Sequence, residues 1–296
     1  MSSARLHPMG IGEILDGTFS LYRKHFALMF GTAILPFALM VPGYATLMQR
    51  TAIEDPVAVG ASIGLTFVLI GVGALGMVIA MAALTRNMSQ AFTGAEASFG
   101  DGLRSGVRAL LPLIGAVIVA YIVIFALSMA VMMGLGLFAA VLAAFAGVLG
   151  VIVALVGVFL VIATMIAIAA SLFAVIPAVV VERKGPIAAL VRSWRLSHGA
   201  RLRIATVFFL CWLITMLPSL GIMLALGMGM AFIDPTAAAT MTTGQIYLQQ
   251  SVTMLISALT FPFTLGCLVL LYYDRRIRTE AYDVEVAAEA IVAATP

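Results

Sequence analysis

Gly60-Ala61-Ser62-Ile63-Gly64 spells the G-x-S-x-G pattern of a serine nucleophile. That pattern works only where a strand turns sharply into a helix and a histidine stands within hydrogen-bond reach of the hydroxyl. Here Ser62 lies inside an apolar run, while His7, His25 and His198 all fall in polar segments. The motif therefore reads as helix packing, with Gly60 and Gly64 forming a GxxxG face. Met216, Met223, Met228 and Met230 crowd another apolar run. Thioethers suit Cu(I), but without a cysteine or histidine cluster beside them these methionines read as flexible filler. Cys211 and Cys267 are placed at similar depth near the cytoplasmic side, as neighbours. That side disfavours a structural disulfide, and two sulfurs fall short of a four-ligand zinc site. No catalytic set, metal site or cofactor is expected.

The charged residues say more. Arg183, Lys184, Arg192, Arg195, Arg201 and Arg203 surround Trp194 in one short segment. Beside a membrane carrying anionic lipid, such residues attract head groups at roughly 1 kcal/mol each, and they are the candidate lipid contacts. Near the carboxyl end Arg275, Arg276 and Arg278 alternate with Asp274 and Glu280. Internal ion pairs are expected there, with Glu13 and Asp16 as further partners, tying a cytoplasmic collar together.

These groups are held by elements that belong in lipid. From Ala109 to Val181 there is no Asp, Glu, Lys, Arg or His, a length of apolar chain that a bilayer requires and a soluble core does not sustain. Charged residues make up 10% of the chain against about 25% in soluble domains. The net charge of +3 does not point to nucleic acid, since the basic residues sit in short inter-span segments without a binding motif. At the length needed to cross about 30 Å of hydrocarbon, spans are expected near Phe26–Met48, Val57–Leu84, Ala109–Met133, Val151–Val181, Ile204–Phe232 and Ser251–Tyr272. No signal-peptide pattern precedes the first, so it is expected to stay as an anchor.

Six spans put both termini on one side, together with every Lys and Arg except Arg50. The positive-inside rule makes that side the cytoplasm. A third span within 109–181 would turn the six cations of the Glu182–Arg203 segment outward, so two long helices are preferred. They are joined near Gly134-Leu135-Gly136, with Phe138–Gly150 extending a helix or lying as a re-entrant or interfacial piece.

Residues 1–25 form a cytoplasmic amphipathic helix, 26–273 the transmembrane domain and 274–296 a cytoplasmic tail. In the first segment Ile11, Ile14, Leu15, Thr18, Leu21 and Tyr22 recur at helical spacing, as in an interfacial helix. Ser98-Phe99-Gly100-Asp101 has the form of a capping box opening a helix that ends at Arg108, and Gly185-Pro186 opens another through Val191, Trp194 and Leu196. Aligned, these suggest a unit of interfacial helix plus transmembrane hairpin used three times.

Four blocks in order, IGEILDGTFSLYRKHF (11–26), ALTRNMSQAFTGAEASFGDGLRSG (83–106), VERKGPIAALVRSWRLSHG (181–199) and LLYYDRRIRTEAYDVE (270–285), resemble the bacterial family named after the membrane domain of glycerophosphoryl diester phosphodiesterase. The resemblance implies a six-span fold in the bacterial inner membrane. The enzyme of the family name belongs to members fused to a soluble barrel with His, Glu and Asp residues. After Tyr273 only about two dozen residues follow here, far short of a barrel, so that activity is not expected.

The fold class expected is all-α, six transmembrane helices as three hairpins with amphipathic cytoplasmic helices. The function expected is a non-catalytic, lipid-associated or partner-binding membrane module, with small-residue helix faces available for a homo- or hetero-oligomer. The alternative is a transporter or channel for an uncharged or amphiphilic substrate. Ion coupling is disfavoured because the spans hold no ionisable side chain of the kind such transporters use. A polar cavity lined by Ser128, Thr164, Ser171, Thr215, Ser257 or Thr260 would favour the alternative.

Overall fold

Backbone N–H and C=O groups in hydrocarbon have no partner except one another, so apolar runs of spanning length become helices. The computed structural model describes residues 7–48, 56–143, 147–225, 243–282 and 284. Among these there are nine α-helices and no strand: α1 (Ile11–Lys24), α2 (Phe26–Met48), α3 (Pro56–Thr93), α4 (Phe99–Ala143), α5 (Gly147–Ser171), α6 (Val175–Val180), α7 (Pro186–Ser197), α8 (Arg201–Ala225) and α9 (Thr243–Glu280). Six stretches are long and apolar enough to cross a bilayer: Phe26–Tyr44, Gly60–Thr93, Phe99–Phe138, Leu155–Val180, Arg201–Ile222 and Tyr247–Glu280. The chain is a multi-pass membrane protein. Leu111, Tyr121, Phe125 and Phe159 point outward in the open, which lipid, unlike water, does not penalise. Arg50, Met228, Met230 and the 226–232 end of the expected fifth span lie outside the described residues.

The chain divides into two units, 1–110 with 208–296 and Leu111–Val207. In the first, α2 and α3 pass each other with Gly43 against Leu69 and Ile70, Gly73 against Met40 and Gly76 against Pro36. Each step back along α2 meets a step forward along α3, so the two run antiparallel. Next to them α4 begins at Ser98, whose Oγ accepts from Asp101 N at 3.2 Å, as the capping pattern predicts. Its Gly102 and Gly106 lie on α3, against the Asn87 amide and the Ile79 carbonyl. On α9 sits α1, with Gly17 against Leu270 and the Thr18 methyl beside Gly266.

In the second unit Leu135 of α4 touches Gly157 of α5, and Ser128 Oγ lies 3.5 Å from Met165 Sδ. Again the pairing runs backwards along one helix and forwards along the other. Helix α4 continues through Gly134-Leu135-Gly136, where a join between spans was expected. Glycine breaks a helix in water chiefly through exposed backbone and entropy, and lipid removes the competing hydrogen bonds to solvent.

Two more boundaries differ from the sequence reading. The expected short helix ending at Arg108 is continuous with the third span, the helix running on through Pro112. The last helix does not stop at Tyr272 but runs to Glu280, extended by i,i+4 ion pairs of Arg278 with Asp274 at 2.8 Å and Arg276 with Glu280 at 3.3 Å. The GxxxG pair Gly60 and Gly64 sits near the start of α3 with nothing within 4 Å of where a side chain would begin. The close helix contact expected there is absent among the described residues; Gly102 and Gly106 make one instead.

Candidate functional site

In the second unit the chemistry gathers where α5 ends. Pro177 lacks the N–H that would bond Phe173 O, and its ring crowds that carbonyl, so the helix breaks over Leu172–Ala174 before resuming as α6. The break leaves backbone groups seeking partners, and α7 supplies one. Ser193 Oγ accepts from Ala174 N at 2.9 Å and donates to Ser171 O at 2.7 Å, with its side chain fully buried. A Ser193→Ala variant strands a buried N–H. It is expected to lose about 2 kcal/mol of stability, read as a lowered thermal midpoint in detergent; an unchanged midpoint would show that the hydroxyl does not hold the break.

Helix α7 opens at Gly185 with Pro186 at its first position, as the sequence predicts. It buries Ala189, Arg192, Ser193, Leu196 and Ser197. The six candidate lipid contacts are not equivalent. Arg192 is buried, its Nε 2.9 and 3.0 Å from the two Glu182 carboxylate oxygens. Lys184 Nζ stands 3.3 Å from the same carboxylate. These two cations are therefore held by Glu182 rather than presented outward. Arg183 and Arg195 are exposed, Arg201 and Arg203 half-buried, and the Arg201 guanidinium lies 4.4 Å over the Trp194 ring, a cation–π contact.

The sequence reading put Val191 and Trp194 on this helix together with Leu196, but Leu196 is buried and the outer face is completed by Ile187. Ile187, Val191 and Trp194 recur at i, i+4 and i+7 on the side opposite the buried face, and all three are exposed, Ile187 at 69%. Leu202 at the start of α8 is 86% exposed. The signal was present as helical spacing, hidden because Leu190 and Leu196 make the helix apolar on more than one side.

In the first unit the residues just before α1 meet α9. Asp274, with no exposed surface, accepts from Met9 N at 2.9 Å through Oδ1, the same oxygen that pairs with Arg278 Nε. Arg278 Nη2 donates to Met9 O at 2.9 Å. Both backbone groups of one residue are thus clasped by an ion pair of α9. Tyr22 adds a second tie, its hydroxyl donating to Leu259 O at 2.8 Å, and burial pushes its pKa up to about 12, so it remains a neutral donor across the physiological range.

The expected collar pairs form within α9, Arg276 with Glu280 and Arg278 with Asp274, while Arg275 is buried. Neither Glu13 nor Asp16 reaches the tail arginines among the described residues. Glu13 Oε2 instead accepts from Gly10 N at 2.6 Å, fixing the first turn of α1, with His7 Nε2 3.9 Å away; Asp16 is exposed. The reason is geometric: α1 approaches α9 with Ile14, Thr18, Leu21 and Tyr22, which turns the acidic side chains elsewhere.

Cys211 and Cys267 are brought thiol to thiol, both buried, with the hydroxyls of Thr264 and Thr18 alongside. Ser62 stands in the interior of a helix, not at a strand-to-helix elbow.

Comparison with curated proteins and with solved structures returns no match. A family model does match, over residues 9–275, a range that takes in Met9, Asp274, α7, five of the six spans and most of the sixth; the chain belongs to that family, described as a domain of unknown function, DUF7847.

Proposed function

We propose that the protein is a non-catalytic, lipid-associated membrane module, threaded as three hairpins with both termini in the cytoplasm of a bacterium, and that α7 is its lipid-contacting element. One observation carries this reading. The outward stripe of Ile187, Val191 and Trp194 has cations on its flank, the exposed Arg195 and the Trp194-stacked Arg201. An apolar stripe beside positive charge is what a helix at an anionic head-group layer needs, with tryptophan at the boundary. The antiparallel passes of α2 with α3 and of α4 with α5 support the hairpin threading, and fifteen of the sixteen Lys and Arg then face inward.

The hydroxyls that would line a transport path favour the module over a channel. Ser128, Thr164, Ser171, Thr215 and Thr260 each donate to the carbonyl four residues earlier, at 2.6–3.0 Å. The O–H donors of these five are satisfied within their own helices; Ser257, the sixth, makes no such bond among the described residues.

The test is native mass spectrometry of the protein extracted from membranes of mixed lipid. With Arg183, Arg195 and Arg201 changed together to glutamine, enrichment of anionic over zwitterionic phospholipid is expected to fall about tenfold, one or two charges at roughly 1 kcal/mol each acting on any one head group. Unchanged enrichment would sink the reading. Arg192→Gln is a poor probe, because it removes a buried guanidinium from Glu182 rather than altering the surface.

A further inference from the structure

Along α1 the residues Glu13, Gly17, Ser20 and Lys24 fall on one side of the helix and line a cavity of about 390 Å³ whose floor includes Phe92 of α3 and Leu270 of α9. The cavity lies wholly within the first unit and is of the size that holds a small ligand. Gly17 makes it possible: any side chain there would start 3.0 Å from Leu270 Cδ2, so α1 lies close enough to α9 for Leu270 to become a floor, and the groove above Gly17 stays open.

Its two ends differ. At the amino-terminal end Glu13 is already engaged by Gly10 N and faces His7. At the other end Lys24 makes no ion pair and Ser20 no hydrogen bond among the described residues. Ser20 and Lys24 stand at i and i+4, on the same face. Lys24 is two residues before Phe26, where the first span begins.

Ser20 and Lys24 are both exposed, and an ammonium and a hydroxyl at the open rim of an apolar floor, next to the point where the chain enters hydrocarbon, suit a ligand with an anionic head and an apolar continuation. We propose that this cavity binds the anionic head of a membrane amphiphile, a phosphate monoester held by Lys24 and Ser20 with its adjoining carbons against Phe92 and Leu270. The proposal deepens the lipid-association reading but uses residues of the other unit, so each can fail alone.

The experiment uses the full chain carrying the Arg183, Arg195 and Arg201 to glutamine changes, in nanodiscs of phosphatidylcholine, so that α7 contributes little. Dihexanoyl phosphatidic acid and, separately, inorganic phosphate are titrated by calorimetry. One equivalent of the phosphatidic acid is expected to bind saturably, with inorganic phosphate at least about tenfold weaker for want of the apolar contact. Lys24→Gln removes the charge and Ser20→Leu fills the groove from an exposed position; each is expected to weaken binding about tenfold. Equal affinity for inorganic phosphate would overturn the amphiphile in favour of a free anion. Absence of saturable binding in this background, or binding untouched by both substitutions, would overturn the site.

Discussion

Asp274→Ala is expected to cost about 3 kcal/mol of stability, because it leaves Arg278 and the Met9 backbone without their shared buried acceptor. The carboxylate has no exposed surface and receives both Met9 N and Arg278 Nε on one oxygen, so no water replaces it without rearrangement. Asp274→Asn is expected to fall between, keeping an acceptor for Met9 N while losing the charge that holds Arg278. Thermal unfolding in detergent reads the first effect. Limited proteolysis reads the second, as faster cleavage ahead of α1. If Asp274→Ala unfolds at the wild-type temperature, the clasp contributes nothing and α1 is held by its apolar face alone.

The two GxxxG pairs of α3 and α4 should respond in opposite directions to the same substitution. A Cβ on Gly106 would lie 2.5 Å from the Ile79 carbonyl oxygen and 2.8 Å from its Cγ2. Backbone cannot yield as a side chain does, so Gly106→Ala is expected to cost about 3 kcal/mol through overpacking. At Gly64 nothing lies within 4 Å, and Gly64→Ala is expected to be neutral or to stabilise by up to about 1 kcal/mol through helix propensity. Unfolding of both variants by titrated denaturing detergent compares them directly. Equal losses would mean that Gly64 also meets a neighbour, as a second copy of the chain would provide, and the opposite order would refute the α3–α4 crossing.

Six spans were readable because their cause is local: each is a run of apolar residues, and hydropathy does not depend on what lies alongside. The same holds for Ser98 as a helix cap and Pro186 as a helix opening, where the signal sits within four residues. What failed needed knowledge of neighbours. Gly60 and Gly64 carry the same spacing as Gly102 and Gly106, and nothing in the letters says which pair faces a helix. Arg192 looks like Arg195 in the chain, yet ten residues back Glu182 waits for one and not the other. The clasp was the least visible, since its acceptors and donors on one side are backbone atoms of Met9, 265 residues from Asp274, and backbone atoms have no signature. Of the tail arginines, Arg276 and Arg278 pair by i,i+4 spacing within α9, and Glu13 went to its own helix start.

Because Met9 is made 265 residues before Asp274, α1 leaves the ribosome long before its permanent seat exists. Until α9 has been inserted, Ile14, Thr18, Leu21 and Tyr22 have no protein cover on that side, and the bilayer surface is the natural place for such a face to wait. Closure of α1 onto α9 is then a late step of biogenesis, one that reports arrival of the last crossing. A nascent chain arrested before Asp274 should keep α1 accessible to protease, whereas the released protein should shield it.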